Sequence, residues 1–151
     1  MQGTFKSETR FERRLELYTR IRAKYPDRVP IIVEVAKNSQ LTISRKKFLA
    51  PGEISVGGFL NEIRKQSNLR SEEAIFIFCG INGAILVPTS NTISQIYKKY
   101  KDEDGFLYMT VGMENTFGAL NTLDFLTFSF LDRVLSSSGY VARGLALERF
   151  L

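Results

Sequence analysis

The sequence predicts an α+β domain, a sheet with a helix packed on one face, and three observations carry that prediction. Apolar residues recur at helical spacing in two segments: Phe11, Leu15, Tyr18, Ile21 and Tyr25, then Val56, Phe59, Leu60 and Ile63. Short runs rich in β-branched and aromatic residues stand between and after them: "RVPIIVEVA", "RKKFLAP", "EAIFIFCG" and "FLYMTV". The third observation is the order: helix, strand, strand, helix, strand, hairpin element, short helix, strand. A hairpin followed by a helix and more strands suits such a sheet. The order alone leaves the strand topology open.

Each element has its own signal. Thr9 and Glu12 have the T-x-x-E spacing of a capping box and predict the start of the first helix, which Pro26 ends. "RVPIIVEVA" is apolar on nearly both faces, as in a central strand covered from both sides. "NSQ" makes a turn, and the strand "RKKFLAP" closes at Pro51. A helix from about Ser55 follows; Gly57 and Gly58 weaken it intrinsically, so packing must hold it. Asn82–Gly83, flanked by apolar residues, predicts a tight hairpin. Asn91 caps a short helix with Ile93, Ile96, Tyr97 and Tyr100 on one face. The last strand alternates, with Leu107, Met109 and Val111 opposed to Phe106, Tyr108 and Thr110.

Composition narrows the chemistry. At 151 residues with 44% hydrophobic and 25% charged content, the chain reads as one soluble domain with an appendage. The absence of histidine excludes a Ser–His–Asp triad, a Cys–His nucleophile pair and a histidine metal site. The single cysteine, Cys79, allows no disulfide framework, predicts a reducing compartment and sits in an apolar run that suggests a small buried thiol. The N-terminus is too charged for a secretory signal. No stretch approaches the roughly 18–20 apolar residues that span a bilayer, so the protein is expected to be soluble when made.

The formal charge is +5, and the positive residues gather early: Lys6, Arg10, Arg13, Arg14, Arg20, Arg22, Lys24 and Arg28. They read either as a solvated helix face or as a surface for an acidic peptide, an anionic membrane or nucleic acid. No nucleic-acid-binding motif accompanies them, so nucleic acid is not an expected partner.

At "KYPDRVPIIVE", "KKFLAP", "VGGFLNEIRK", "VPTS" and above all "YKDEDGFLYMTVGMENTFG" the chain resembles a known family, the autophagy ubiquitin-like modifiers. That family includes GABARAP and the light chains of microtubule-associated proteins, and the resemblance covers roughly residues 5 to 118. It implies a ubiquitin-like β-grasp with two additional N-terminal helices. The implied boundaries are an N-terminal helical extension over 1–28, a β-grasp core over 29–111, a flexible conjugation tail over 112–118, and a C-terminal extension over 119–151 removed by processing. It also implies a protein that is a substrate and not an enzyme. A family cysteine protease exposes a glycine, an E1-like activating enzyme and an E2-like transfer enzyme follow, and the carboxylate is joined to phosphatidylethanolamine. No cofactor is implied beyond that covalent lipid. The protein would be cytoplasmic until lipidation places it on the autophagosome membrane. There it would hold cargo receptors and adaptors bearing aromatic-x-x-aliphatic motifs.

The residues suit that chemistry. Seven extended residues, 112–118, reach on the order of 23 Å, enough to carry a carboxylate into an enzyme cleft. Gly118 has no Cβ to crowd its carbonyl during acyl transfer. Its alternative is a turn residue between domain and extension. A two-chain lipid would give stable attachment where a single acyl chain would not.

Family correspondence also implies two peptide pockets beside the second strand, which would accept an extended peptide along its edge. Ile21, Pro30, Ile32, Lys47, Leu49 and Phe106 would line an aromatic pocket. Phe48, Ala50, Pro51, Ile54, Phe59 and Ile63 would line an aliphatic one. Arg28, Arg45 and Lys46 would meet acidic flanking residues. The apolar members read equally well as core. Lys47 and Phe48 are neighbours in a strand, so one must face outward.

The chain departs from the family at several points. Leu17 replaces a usually polar residue, Ala50 is smaller than the usual valine, and Glu62 falls where an apolar residue is common. "CGINGAILVPTS" is longer than the usual connection, which predicts a rebuilt hairpin. The alternative function is a β-grasp peptide-binding adaptor that is never conjugated.

Overall fold

The structure is a computed structural model that describes residues 3–113. Gly118 and the whole 119–151 extension lie outside the described residues. The elements are α1 (Phe5–Glu8), α2 (Phe11–Lys24), β1 (Arg28–Val35), β2 (Lys47–Pro51), α3 (Val56–Lys65), β3 (Ile75–Cys79), a 3-10 turn (Ile81–Gly83), β4 (Ile85–Leu86), α4 (Ile93–Tyr100) and β5 (Leu107–Met113). The strands form one sheet in the order β2-β1-β5-β3-β4. β1 and β5 run parallel, while β2, β3 and β4 pair antiparallel with their neighbours.

Strand alternation divides the apolar residues between two faces. Val29, Ile31 and Val33 of β1 join Leu107, Met109 and Val111 of β5 in the larger core, covered by Phe59, Leu60 and Ile63 of α3 and Ile93 and Ile96 of α4. Ile32, Leu49 and Phe106 turn to the other face, where Ile21 of α2 closes over them. This two-sided burial explains why β1 reads as an unbroken apolar run. α3 starts as expected at Ser55, whose hydroxyl accepts from the Gly58 N–H at 3.0 Å. Cys79 is fully buried in the larger core, and burial pushes its thiol up to about 12. Among the described residues, no helix is long and apolar enough to cross a membrane.

Several sequence expectations are corrected. Thr9 does not open a helix: its N–H donates to the Phe5 carbonyl, which makes it the last residue of the α1 turn. The cap belongs to Thr4, whose Oγ1 accepts from the Ser7 N–H at 3.2 Å, and α2 begins after Arg10 without a side-chain cap. The capping box lies instead at α4, where Thr92 and Gln95 exchange side-chain and backbone bonds of 3.2 and 2.9 Å. Asn91 is therefore one residue early.

Asn82 and Gly83 adopt the positive φ that the hairpin signal requires, 59° and 60°. They do so inside a 3-10 turn and not in a two-residue loop, so the hairpin is wider than predicted. β5 runs through Met113, paired with Ile75, so Gly112 and Met113 belong to the sheet and not to the expected tail. Arg14 is not part of a solvated helix face; it is buried against Asp104.

Candidate functional site

Among the described residues β2 is an edge strand, paired on one side only, with β1. The Val33 N–H donates to the Lys46 carbonyl at 2.7 Å, which turns the Lys46 backbone inward. Antiparallel alternation then turns Phe48 and Ala50 inward as well, and leaves Lys47 and Leu49 presenting N–H and C=O to the open edge. An extended peptide laid there would find an unpaired ladder.

The two residue sets predicted as pockets lie on opposite faces of this edge. Ile21, Ile32, Leu49 and Phe106 meet in one buried cluster, with Leu17, Tyr18 and Tyr25 packed around them. Pro30, also buried, stands opposite Leu49 in the ladder. On the other face Phe48, Ala50, Ile54, Phe59 and Ile63 are all buried in the larger core. The Phe48 and Phe59 rings meet edge to face with centroids 5.3 Å apart. Pro51 is buried at the strand's end. Both apolar sets are thus closed: Leu49, Phe59, Ile63 and Phe106 have no solvent exposure.

The polar members remain outside. Arg45 and Lys46 are exposed, Arg28 and Lys47 are half-buried, and the Arg28 carbonyl accepts from Arg22 at 2.9 Å. Lys47 is therefore the outward member of the Lys47–Phe48 pair. Leu17 packs against the aromatic cluster and adds apolar surface to it. Glu62 pairs with Lys65 at 3.0 Å.

Sequence reasoning missed Phe5. Its ring packs edge to face on Phe106, centroids 5.6 Å apart, and Lys47 Nζ lies 5.2 Å over it. The Phe5 N–H donates to Glu34 Oε1 at 3.0 Å. The T-x-x-E signal at Thr9 hid the short helix that carries this ring; Thr4 ahead of "FKSE" was the available sign. Alongside lies a cleft of about 610 Å³, lined among others by Phe5, Glu8, Ile32, Glu34, Lys46 and Lys47.

Behind the cluster a polar network fixes the helices. Tyr108 donates its hydroxyl to the buried Asp104, and burial together with that carboxylate holds the phenol well above its ordinary range. Tyr97 donates to the Gly105 carbonyl at 2.8 Å; burial first, then the Tyr18 hydroxyl, raises its phenol too. Lys6 pairs with Asp102.

A sheet with parallel β1 and β5 at its middle, and a helix packed across one face after an initial hairpin, defines a ubiquitin-like protein. The chain matches the family described as "Autophagy protein Atg8 ubiquitin like" over residues 12–118. It is 49% identical over 119 residues to autophagy-related protein 8 of Emericella nidulans, covering 78% of this chain and 98% of that relative. Against autophagy-related protein 8e of Arabidopsis thaliana the identity is 49% over 116 residues, 76% of this chain and 93% of the relative. The crystal structure of Trypanosoma brucei ATG8 superposes with a TM-score of 0.69 at 38% identity, covering 76% of this chain and 97% of that one. The chain belongs to the Atg8 family and is an autophagy ubiquitin-like protein.

Proposed function

We propose that this chain is a conjugated modifier whose β2 edge recruits peptides to a membrane. The observation that carries the reading is the outward backbone of Lys47 and Leu49, set between two apolar clusters on opposite faces of β2. A peptide added as a further strand would direct alternate side chains to those two faces. An aromatic residue suits the Ile21, Pro30, Ile32, Leu49 and Phe106 side, and an aliphatic residue suits the Phe48, Ala50, Ile54, Phe59 and Ile63 side. Arg28, Arg45 and Lys46 give the rim a positive charge for acidic flanks.

The family match ends at residue 118, the glycine whose open carbonyl suits acyl transfer. The chain is then the substrate of its protease, its E1-like enzyme and its E2-like enzyme. Phosphatidylethanolamine attached at Gly118 moves it from the cytoplasm to the autophagosome membrane. Two experiments test the reading. With a short acidic-flanked Trp-x-x-Leu peptide, hydrogen exchange should slow at the Lys47 and Leu49 amides; unchanged exchange there removes the edge from consideration. With the family's protease and conjugating enzymes, wild type should be cut after Gly118 and lipidated while Gly118→Ala is not. An untouched wild-type chain leaves the non-conjugated adaptor as the correct reading.

A further inference from the structure

We propose that Phe5 is an internal occupant of the aromatic pocket and that α1 is a displaceable latch over the docking edge. The inference rests on the reading of β2 as a peptide site, and it concerns how that site is opened. The Phe5 ring makes the contacts an aromatic guest would make. It meets Phe106 edge to face at 5.6 Å, lies 6.5 Å from the Tyr108 ring, and sits 5.2 Å beneath Lys47 Nζ. An incoming aromatic side chain and Phe5 therefore compete for Phe106 and for the cation above it.

α1 is built to let go. It has four residues, none of them buried, and a single turn cannot hold itself in water. Apart from the packing of the Phe5 ring, few contacts fasten it: Phe5 N–H to Glu34, Lys6 to Asp102, and Arg14 Nη1 to the Lys6 carbonyl at 3.2 Å. The Lys6 side chain is 46% exposed, and exposed pairs of this kind contribute little. The cleft beside Phe5, about 610 Å³, gives the ring space to leave without disturbing α2. The apolar pocket walls are buried in the described state, and the protein's own aromatic residue helps to cover them.

A covered site binds with an affinity reduced by the fraction of time it stands open. If α1 covers the pocket for about nine-tenths of the time, removing the plug tightens peptide binding about tenfold. The test uses the full 1–151 chain and a short Trp-x-x-Leu peptide with acidic residues before the tryptophan. Phe5→Ala should bind it several-fold tighter than wild type. Lys6→Gln, which loosens α1 and leaves Phe5, Leu49 and Phe106 in place although it gives up the cation over Tyr108, should shift affinity the same way by less. In wild type, peptide addition should speed exchange of the Phe5 amide as it leaves Glu34. Binding by wild type that both variants leave unchanged or weaken, with the Phe5 amide still protected, overturns the latch alone. No binding by wild type or either variant overturns the peptide reading of β2, and the latch with it.

Discussion

Arg14 Nε stands 3.0 Å from Asp104 Oδ2, and the Asp104 side chain has no solvent exposure. The contact is one of charge: Nε is itself buried and makes no hydrogen bond of good geometry, while Nη1 donates to the Lys6 and Thr9 carbonyls. Asp104 Oδ1 accepts from the Phe106 N–H at 2.9 Å, and Oδ2 accepts from the Tyr108 hydroxyl. One carboxylate thus ties α2 and the α1 turn to the start of β5. Removing one partner of a buried pair strands the other charge, which typically costs about 3–5 kcal/mol. Asp104→Ala should lower the urea unfolding midpoint accordingly, with an unchanged denaturant slope. A midpoint within experimental error of wild type would show that the pair does not hold the helix.

This pair also marks where reading the sequence stops. Ile31 and Val33 of β1, or Val56, Phe59, Leu60 and Ile63 of α3, announce themselves because period and burial have one cause. Arg14 looked like any other early cation, since nothing local distinguishes a charge that will meet Asp104 from one that stays in water. The helix starts failed for a related reason. A T-x-x-E spacing at Thr9 is indistinguishable from a cap until Thr9 proves to close the preceding turn. For the candidate site, family correspondence assigned Leu49 of β2 and Phe59 of α3 to two different pockets beside the second strand. It did not reveal that Phe5 packs over the Leu49 and Phe106 cluster, because that cover depends on residues far apart in sequence, such as Phe5 and Glu34.

Gly83 has φ +60°, and a Cβ built on it would stand 2.4 Å from Thr110 Oγ1 and 2.9 Å from Thr110 Cβ. A side chain there meets both a left-handed backbone and the neighbouring strand. Holding a non-glycine residue in that region costs on the order of 1–3 kcal/mol, before any displacement of Thr110. Gly83→Ala should therefore lower the thermal midpoint, followed by circular dichroism. An unchanged midpoint would mean that the turn between β3 and β4 rebuilds freely.

Asp102 supplies a pH dependence. Burial alone would raise its carboxyl, but the hydrogen bond from Lys6, the Asp104 N–H and the nearby Arg14 together bring it below its ordinary 3.8. The folded value lies below the unfolded one, so the stabilisation is present above about pH 4 and is lost as pH falls through the folded value. Wild type should lose urea resistance on acidification in that window, and Asp102→Asn should show a shallower loss. Parallel curves for the two proteins would assign the acid sensitivity elsewhere.

Leu49 lies in the core and on the proposed docking edge, so its truncation should be visible in two measurements. Its side chain is wholly buried between Ile32, Phe106 and Ile21, and a buried Leu→Ala change costs about 2–5 kcal/mol of stability. Its outward N–H and C=O remain after truncation, so a peptide can still pair with the backbone but loses the wall that an aromatic side chain rests on. Truncating an interface anchor costs at least about 2 kcal/mol of binding, roughly thirtyfold in affinity. The titration is made at a temperature where circular dichroism shows Leu49→Ala fully folded, so that lost binding is not lost fold. Weakened binding with a native spectrum places the aromatic guest against Leu49. A destabilised variant that binds as tightly as wild type would put Leu49 in the core alone and move the docking site off this face of β2.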